Sequence, residues 1–176
     1  RVASGGLTRP GQLQLLWATG PQKLAEVEAR LESVGRPGWV HTVGYIEDMP
    51  SALRAATLAL SRAGAMATSE FLAWGVPSLL VPLPTAAGDH QTRNAESLAR
   101  AGAAVHLPAR GLSGDVLWRA VASLLENPQG LEEMRTAALG VARPRASREI
   151  ARDLALLLPE LLPGGPAQRG RGKDAA

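Results

Sequence analysis

Short apolar runs alternate with helix-period segments along most of this chain, and that alternation limits its fold more than any other feature. The runs are "LQLLWAT" (13–19), "WVHTVGYI" (39–46), "LALS" (58–61), "SLLVP" (78–82) and "AAVHL" (103–107). Gly20-Pro21 breaks the first run, and residues 22–33 then carry apolar Leu24, Val27 and Leu31 at helical spacing. Asp48 and Pro50 open a short helix to about Ala56; 66–74 and 90–101 read as helices; Ser113 caps a helix to about Glu126, with Asp115 in its first turn. Two more helices follow, at about 129–142 and 146–158. Strands this short and apolar, each followed by a helix, predict an α/β protein with a doubly wound parallel sheet. Right-handed crossovers then bring all strand-to-helix turns to one edge of the sheet.

Composition narrows the class of protein. A chain of 176 residues, 45% hydrophobic, can bury a core, but aromatics at 3% leave Leu, Val and Ala to fill it. Cysteine is absent, which excludes disulfides and thiolate metal sites. The net charge of +3 is spread over scattered arginines, and one Tyr and one Phe offer little for bases to stack on, so nucleic acid is not an expected partner. No apolar stretch reaches the roughly 18–20 residues a membrane span needs, and the start does not read as a signal peptide. Residues 1–12 read as an irregular lead-in, 13–160 as one domain, and 161–176 as a disordered basic tail.

Chemistry concentrates in two strand-to-helix turns. In "LALSRAGAMATSEFLAWGVPSLLVPLP" (58–84), Ser61 ends a strand and Gly64 is expected to let the backbone turn tightly and approach a ligand. The helix that follows offers unpaired N–H groups and a positive dipole end, which suits a phosphate. Glu70, about one and a half turns in, can accept two hydrogen bonds from a vicinal diol such as ribose. The alternative is an ordinary α/β turn followed by a solvated acid. The next turn, "TAAGDHQTRNAESLARAGAAV" (85–105), places Asp89, His90, Gln91 and Asn94 at a helix start, with Gln91 and Asn94 on one face. Neutral amides suit hydroxyl-rich sugars. The alternative here is ordinary capping, with Asp89 as the N-cap. His41 and His106 have no ligand spacing with His90, and no D-x-D motif occurs, so no metal and no cofactor is expected.

The segment running from "GYIEDMPSALRAATLALSRAGAMATSE" through "GDHQTRNAESLARAGAA" resembles the donor half of the MurG family. These are bacterial transferases that move N-acetylglucosamine from UDP-N-acetylglucosamine to lipid I, giving lipid II for peptidoglycan. The resemblance covers about 13–158 and is strongest over 44–105, where G-[YF]-I-x-D-M, S-R-A-G-A-x-x-x-S-E, G-x-P, V-P and H-Q-x-x-N-A occur in order. Arg62 stands near the position where plant and sterol glycosyltransferases of the same two-domain GT-B architecture usually carry His. The resemblance implies that the backbone of Ile46 reads the uracil edge. It implies that Gly64, Ala65 and Met66 hold the diphosphate and that Glu70 holds the ribose. His90 and Gln91 match the pair beside N-acetylglucosamine, and Asn94 the asparagine below them. Ala67 departs from members with Thr there.

What the resemblance implies for activity follows the same line. Family members invert the anomeric carbon by direct displacement, with the muramyl O4 attacking and UDP leaving. No catalytic residue is assigned here, because the candidate base and the site for the lipid-linked acceptor belong to an N-terminal domain. The expected setting is peripheral, on the cytoplasmic face of the plasma membrane. The chain reads as a fragment, incomplete at its N-terminus, with no G-G-S-x-G-A turn after a first strand. Two other readings stay open: the donor-binding subunit of a split two-chain transferase, and a non-catalytic nucleotide-sugar-binding domain.

Overall fold

Strands form where β-branched and aliphatic residues run together, and helices where apolar residues recur every three or four positions. The computed structural model describes residues 13–83 and 89–157. The expected irregular lead-in (1–12) and basic tail (161–176) lie outside the described residues. The element order is β1 (Leu15–Ala18), α1 (Leu24–Ser33), β2 (Val40–Val43), α2 (Met49–Ala55), β3 (Ala59–Ser61), α3 (Ala65–Trp74), β4 (Ser78–Leu80), α4 (His90–Arg100), β5 (Ala104–His106), α5 (Gly114–Leu125), α6 (Pro128–Val141) and α7 (Ala146–Leu157). Every described strand and helix falls within two residues of its sequence-predicted start, and the strands end up to three residues early.

Among the described residues all strand pairings are parallel, as expected, but they form two sheets rather than one continuous ladder. One sheet pairs β1 with β2, and the other runs β3–β4–β5. Ser61 lies opposite Leu80, and Leu80 opposite His106. The ladder continues past the strand ends, with the Val81 N–H donating to the Ser61 carbonyl at 2.8 Å and the Leu107 N–H to that of Leu80 at 2.9 Å. β1 is apolar yet exposed along its length, Leu16 and Trp17 included.

The core sits around β4, whose three residues are all buried, with Leu79 and Leu80 fully so. Leu80 packs with Ala63, Ala95 and Ala104, and Leu98 closes over them. Three alanines in one cluster let α4 approach the sheet closely, so α4 is placed by backbone proximity rather than by long side chains. α3 ends at Gly75 in a left-handed conformation (φ 63°), where any other residue is strained. A Cβ there would also meet Leu139 Cγ of α6 at 2.9 Å, so the same glycine lets α6 pack under α3.

The chain divides into two compact units between Val141 and Ala142. The second unit contains α7, which carries exposed Ile150, Leu154, Leu156 and Leu157 between charged residues. No helix among the described residues is long and apolar enough to cross a membrane.

Truncating Leu80 should therefore damage the core of the first unit. Leu80→Ala is expected to cost about 2–5 kcal/mol of unfolding free energy, read by chemical denaturation, because a fully buried leucine leaves a cavity when shortened. A cost well below 1 kcal/mol would show that β4 is not the centre of the core.

Candidate functional site

A chain that leaves β3 at Ser61 must reverse within three residues to enter α3 at Ala65. The tight step is made by Ala63, which is fully buried and has φ 56°, a conformation unfavourable for a residue with a Cβ. This corrects the expectation for Gly64. That residue has φ −66° and ψ 141°, open to any residue, and a Cβ built on it would meet nothing within 4 Å. The small residue at position 64 keeps the space over the turn clear, while the strained step falls one position earlier.

Two polar side chains hold the turn. Asn94 Nδ2 donates to the Ala63 carbonyl at 3.1 Å across a sequence separation of 31. Thr68 is buried, and its hydroxyl lies 3.0 Å from the Gly64 carbonyl and 3.1 Å from that of Ala65. The Thr68 N–H also donates to the Gly64 carbonyl, at 3.0 Å. Sequence reasoning passed over Thr68. A Thr at the fourth position of a helix, able to bond back to the i−3 and i−4 carbonyls, was the available signal.

The start of α3 is electrostatically bare. No side chain caps it, and its first turn carries no acid. Met66 and Glu70 are four residues apart, share one face, and are both exposed. α4 also begins without a side-chain cap. Asp89 occupies the N-cap position, but in a left-handed conformation (φ 54°) and without a side-chain capping bond, so the ordinary capping role weighed for it is not the one it plays. Gln91 Oε1 accepts the Leu83 N–H at 2.9 Å, which leaves its amide N–H groups as the part available to a ligand.

The structure thus brings Gly64, Ala65 and Asn94 together. It sets Met66 and Glu70 on the adjoining exposed face of α3, and His90 and Gln91 in the first turn of α4. A cavity of about 210 Å³ between α3 and α4 is lined by Ala65, Thr68, Ser69, Asn94, Ser97 and Leu98. It borders this group without including Glu70 or Gln91. Ile46 stands in a different loop, after β2 and half-buried, just before Asp48, which caps α2 by accepting the Ser51 N–H at 3.1 Å. No group of three or more His, Asp or Glu among the described residues could hold a metal ion.

Comparison with known proteins shows the family to which these elements belong. The family described as "Glycosyltransferase family 28 C-terminal domain" matches residues 4–153. A curated relative from Desulfitobacterium hafniense (strain Y51), named UDP-N-acetylglucosamine--N-acetylmuramyl-(pentapeptide) pyrophosphoryl-undecaprenol N-acetylglucosamine transferase, is 39% identical over 142 residues, 78% of this chain and 38% of its own length. A relative of the same name from Halorhodospira halophila is 43% identical over 141 residues, 80% of this chain and 39% of its own. The chain therefore spans about two fifths of the curated relatives it matches. Among solved structures, MurG of Acinetobacter baumannii superposes with a TM-score of 0.72 at 33% identity, covering 82% of this chain and 43% of that one. A glycotransferase of kitacinnamycin, at 20% identity and TM-score 0.54, shares the fold.

The loop bearing Ile46 has a direct titration test. Hydrogen bonds from the Ser51 hydroxyl and then from its backbone N–H hold the Asp48 carboxyl below its usual range. A depressed folded-state value means that the cap contributes stability above the unfolded-state pKa and loses it as pH falls through the folded one. The Ser51 amide resonance is expected to titrate with a midpoint below the ordinary Asp value of roughly 3.9. A midpoint at or above that value would mean that the cap is not formed in solution.

Proposed function

The chain belongs to the glycosyltransferase family 28 C-terminal domain family, and from that premise we propose that it is the donor-binding half of an inverting N-acetylglucosamine transferase. Its donor is UDP-N-acetylglucosamine and its reaction is transfer to lipid I to form lipid II. The observation that carries this reading is the β3–α3 turn: a helix start with no side-chain cap and no acid in its first turn, with Glu70 one turn beyond Met66 on the same face.

Each residue takes a role its position allows. The amides at Gly64, Ala65 and Met66 receive the diphosphate at the positive end of α3. Glu70 accepts hydrogen bonds from the two ribose hydroxyls. The Ile46 backbone reads the uracil edge from the loop after β2. His90 and Gln91, in the first turn of α4, face N-acetylglucosamine, with the Gln91 amide oriented by its bond to Leu83 so that its N–H groups are offered to sugar oxygens.

The chemistry needs little more from this half of the protein. As the acceptor hydroxyl attacks the anomeric carbon, negative charge grows on the departing diphosphate. Turn amides and a helix dipole aimed at that charge stabilise it without moving, which is electrostatic catalysis by preorganisation. The base and the lipid-linked acceptor site are assigned to the remainder of a two-domain transferase. The same reading puts the protein peripherally on the cytoplasmic face of the plasma membrane; the curated relatives, of which this chain covers about two fifths, support it only through the activity they are named for.

Two substitutions test the reading. Glu70→Ala is expected to weaken UDP binding about ten- to a hundred-fold by calorimetric titration, since it removes two charge-assisted hydrogen bonds. An unchanged dissociation constant would remove the ribose from Glu70. Gly64→Val is expected to keep the unfolding transition near wild type, because the backbone at 64 tolerates a side chain, and to abolish UDP binding by filling the space over the turn. Binding that survives in a folded Gly64→Val protein would place the diphosphate elsewhere.

A further inference from the structure

Asn94 does something in this structure that its place beside the sugar pair does not explain. Its amide reaches back across the fold to the backbone of another loop, where it donates to the Ala63 carbonyl at 3.1 Å. That carbonyl belongs to the one residue of the turn held in an unfavourable left-handed conformation, and the residue is completely buried. Left to itself, an alanine at φ 56° would relax toward negative φ. The bond from Asn94 opposes that relaxation.

We propose that Asn94 is a positioning residue for the diphosphate, acting through the Ala63–Gly64 peptide rather than by touching the sugar. The peptide unit is planar and trans, so its C=O and its N–H point in opposite directions. Fastening the Ala63 oxygen to α4 therefore fixes the Gly64 N–H to point away from α4. The next peptide is fixed from its other side, because the Gly64 carbonyl accepts both the Thr68 N–H and the Thr68 hydroxyl. Gly64, the residue with no side chain to guide it, is thus locked at both flanking peptides. The lock is itself anchored: Ala95, next to Asn94, is fully buried in one cluster with Ala63 and Leu80.

α4 then serves both loops at once from one face. Gln91 ties its first turn to the Leu83 N–H at the start of the β4–α4 loop, and Asn94, three residues on, ties its second turn to the β3–α3 turn. A helix that holds both loops keeps the phosphate donors in fixed register with the residues assigned to the hexose. This inference rests on the donor-site reading above, and its test separates the two.

The test uses Asn94→Ala and Asn94→Asp in the full chain, with Kd for UDP and for UDP-N-acetylglucosamine by calorimetry. Both variants are expected to lose about ten-fold for the two ligands alike, the scale of one lost hydrogen bond at a fixed site. Asp keeps the shape and the acceptor but not the donor and adds a charge, whereas Ala adds none, so a loss of the same size in both variants identifies the missing Nδ2 donor rather than repulsion of the ligand. Loss confined to UDP-N-acetylglucosamine, or retained binding in Asn94→Asp, would overturn the proposal in favour of a direct sugar contact. The ligand-free protein gives a second readout that needs no nucleotide. The backbone amide order parameter of Gly64 is expected to fall from about 0.85 toward 0.6 in both variants, with the Leu83 amide, held by Gln91, as the unchanged control. An unaltered Gly64, or an equal fall at Leu83, would overturn the clamp. If wild type binds neither ligand, the donor reading fails and the order parameters alone decide whether Asn94 locks the turn.

Discussion

The β3–β4–β5 sheet and the loops at its edge are organised around β4, all three residues of which are buried. Its residues Ser78, Leu79 and Leu80 pair with β3 on one edge and β5 on the other, both in parallel. A parallel strand returns its chain to the starting end by a crossover, so the turns after β3 and β4 must emerge together at one edge. The two loops that carry most of the candidate site are neighbours for that reason. Leu80 at the end of β4 lies in one buried cluster with Ala63 of one loop and Ala95 of the following helix, so the core directly adjoins the candidate site residues Gly64 and Asn94.

The small size of that core matters as much as its burial. Ala63, Ala95 and Ala104 surround Leu80 where larger side chains would hold the layers apart. Close approach of α4 is what allows a side chain as short as Asn94 to span to the backbone at position 63. A longer residue at 95 would push α4 outward and break that reach before it touched any ligand. Core packing and site geometry are here the same constraint seen from two sides.

The sequence was legible where a signal repeats and opaque where it does not. Strand and helix assignments came from periodicity spread over several residues, and the structure places them within a few residues of expectation, down to the Ser113 cap, whose hydroxyl accepts the Val116 N–H. The parallel sense of the strands was also readable from alternation. Their separation into two sheets was not, because hydrogen-bond partners depend on distance between elements and periodicity is local. The site residues were found as types in a pattern, yet the strain in the turn was assigned to the glycine. Glycine is the residue that tolerates positive φ most readily, and propensity alone points to it. The strained residue is instead the one buried in the core and bonded by Asn94, contacts across the fold that no local reading could include. Propensity likewise offered a side-chain cap at Asp89 as the alternative reading, and the local geometry removes it: the backbone there is left-handed and its side chain makes no capping bond.

On the donor-binding reading, the two helices divide the labour of the site between them. α3 contributes field: its bare N-terminus leaves the positive end of the dipole uncompensated, and an acid or a capping side chain in its first turn would cancel part of it. α4 contributes geometry: its amides are turned inward on backbone groups of both loops. Field without geometry would be averaged away by a mobile turn, since hydrogen-bond donors that must reorganise as charge develops lose much of their advantage over water. Geometry without field would hold the loops in place with nothing to attract an anion. On the donor-binding reading, the strained Ala63 is the joint between the two: its carbonyl is held by α4, its following N–H faces the other way, and the cost of its conformation is borne by the packed core beneath it.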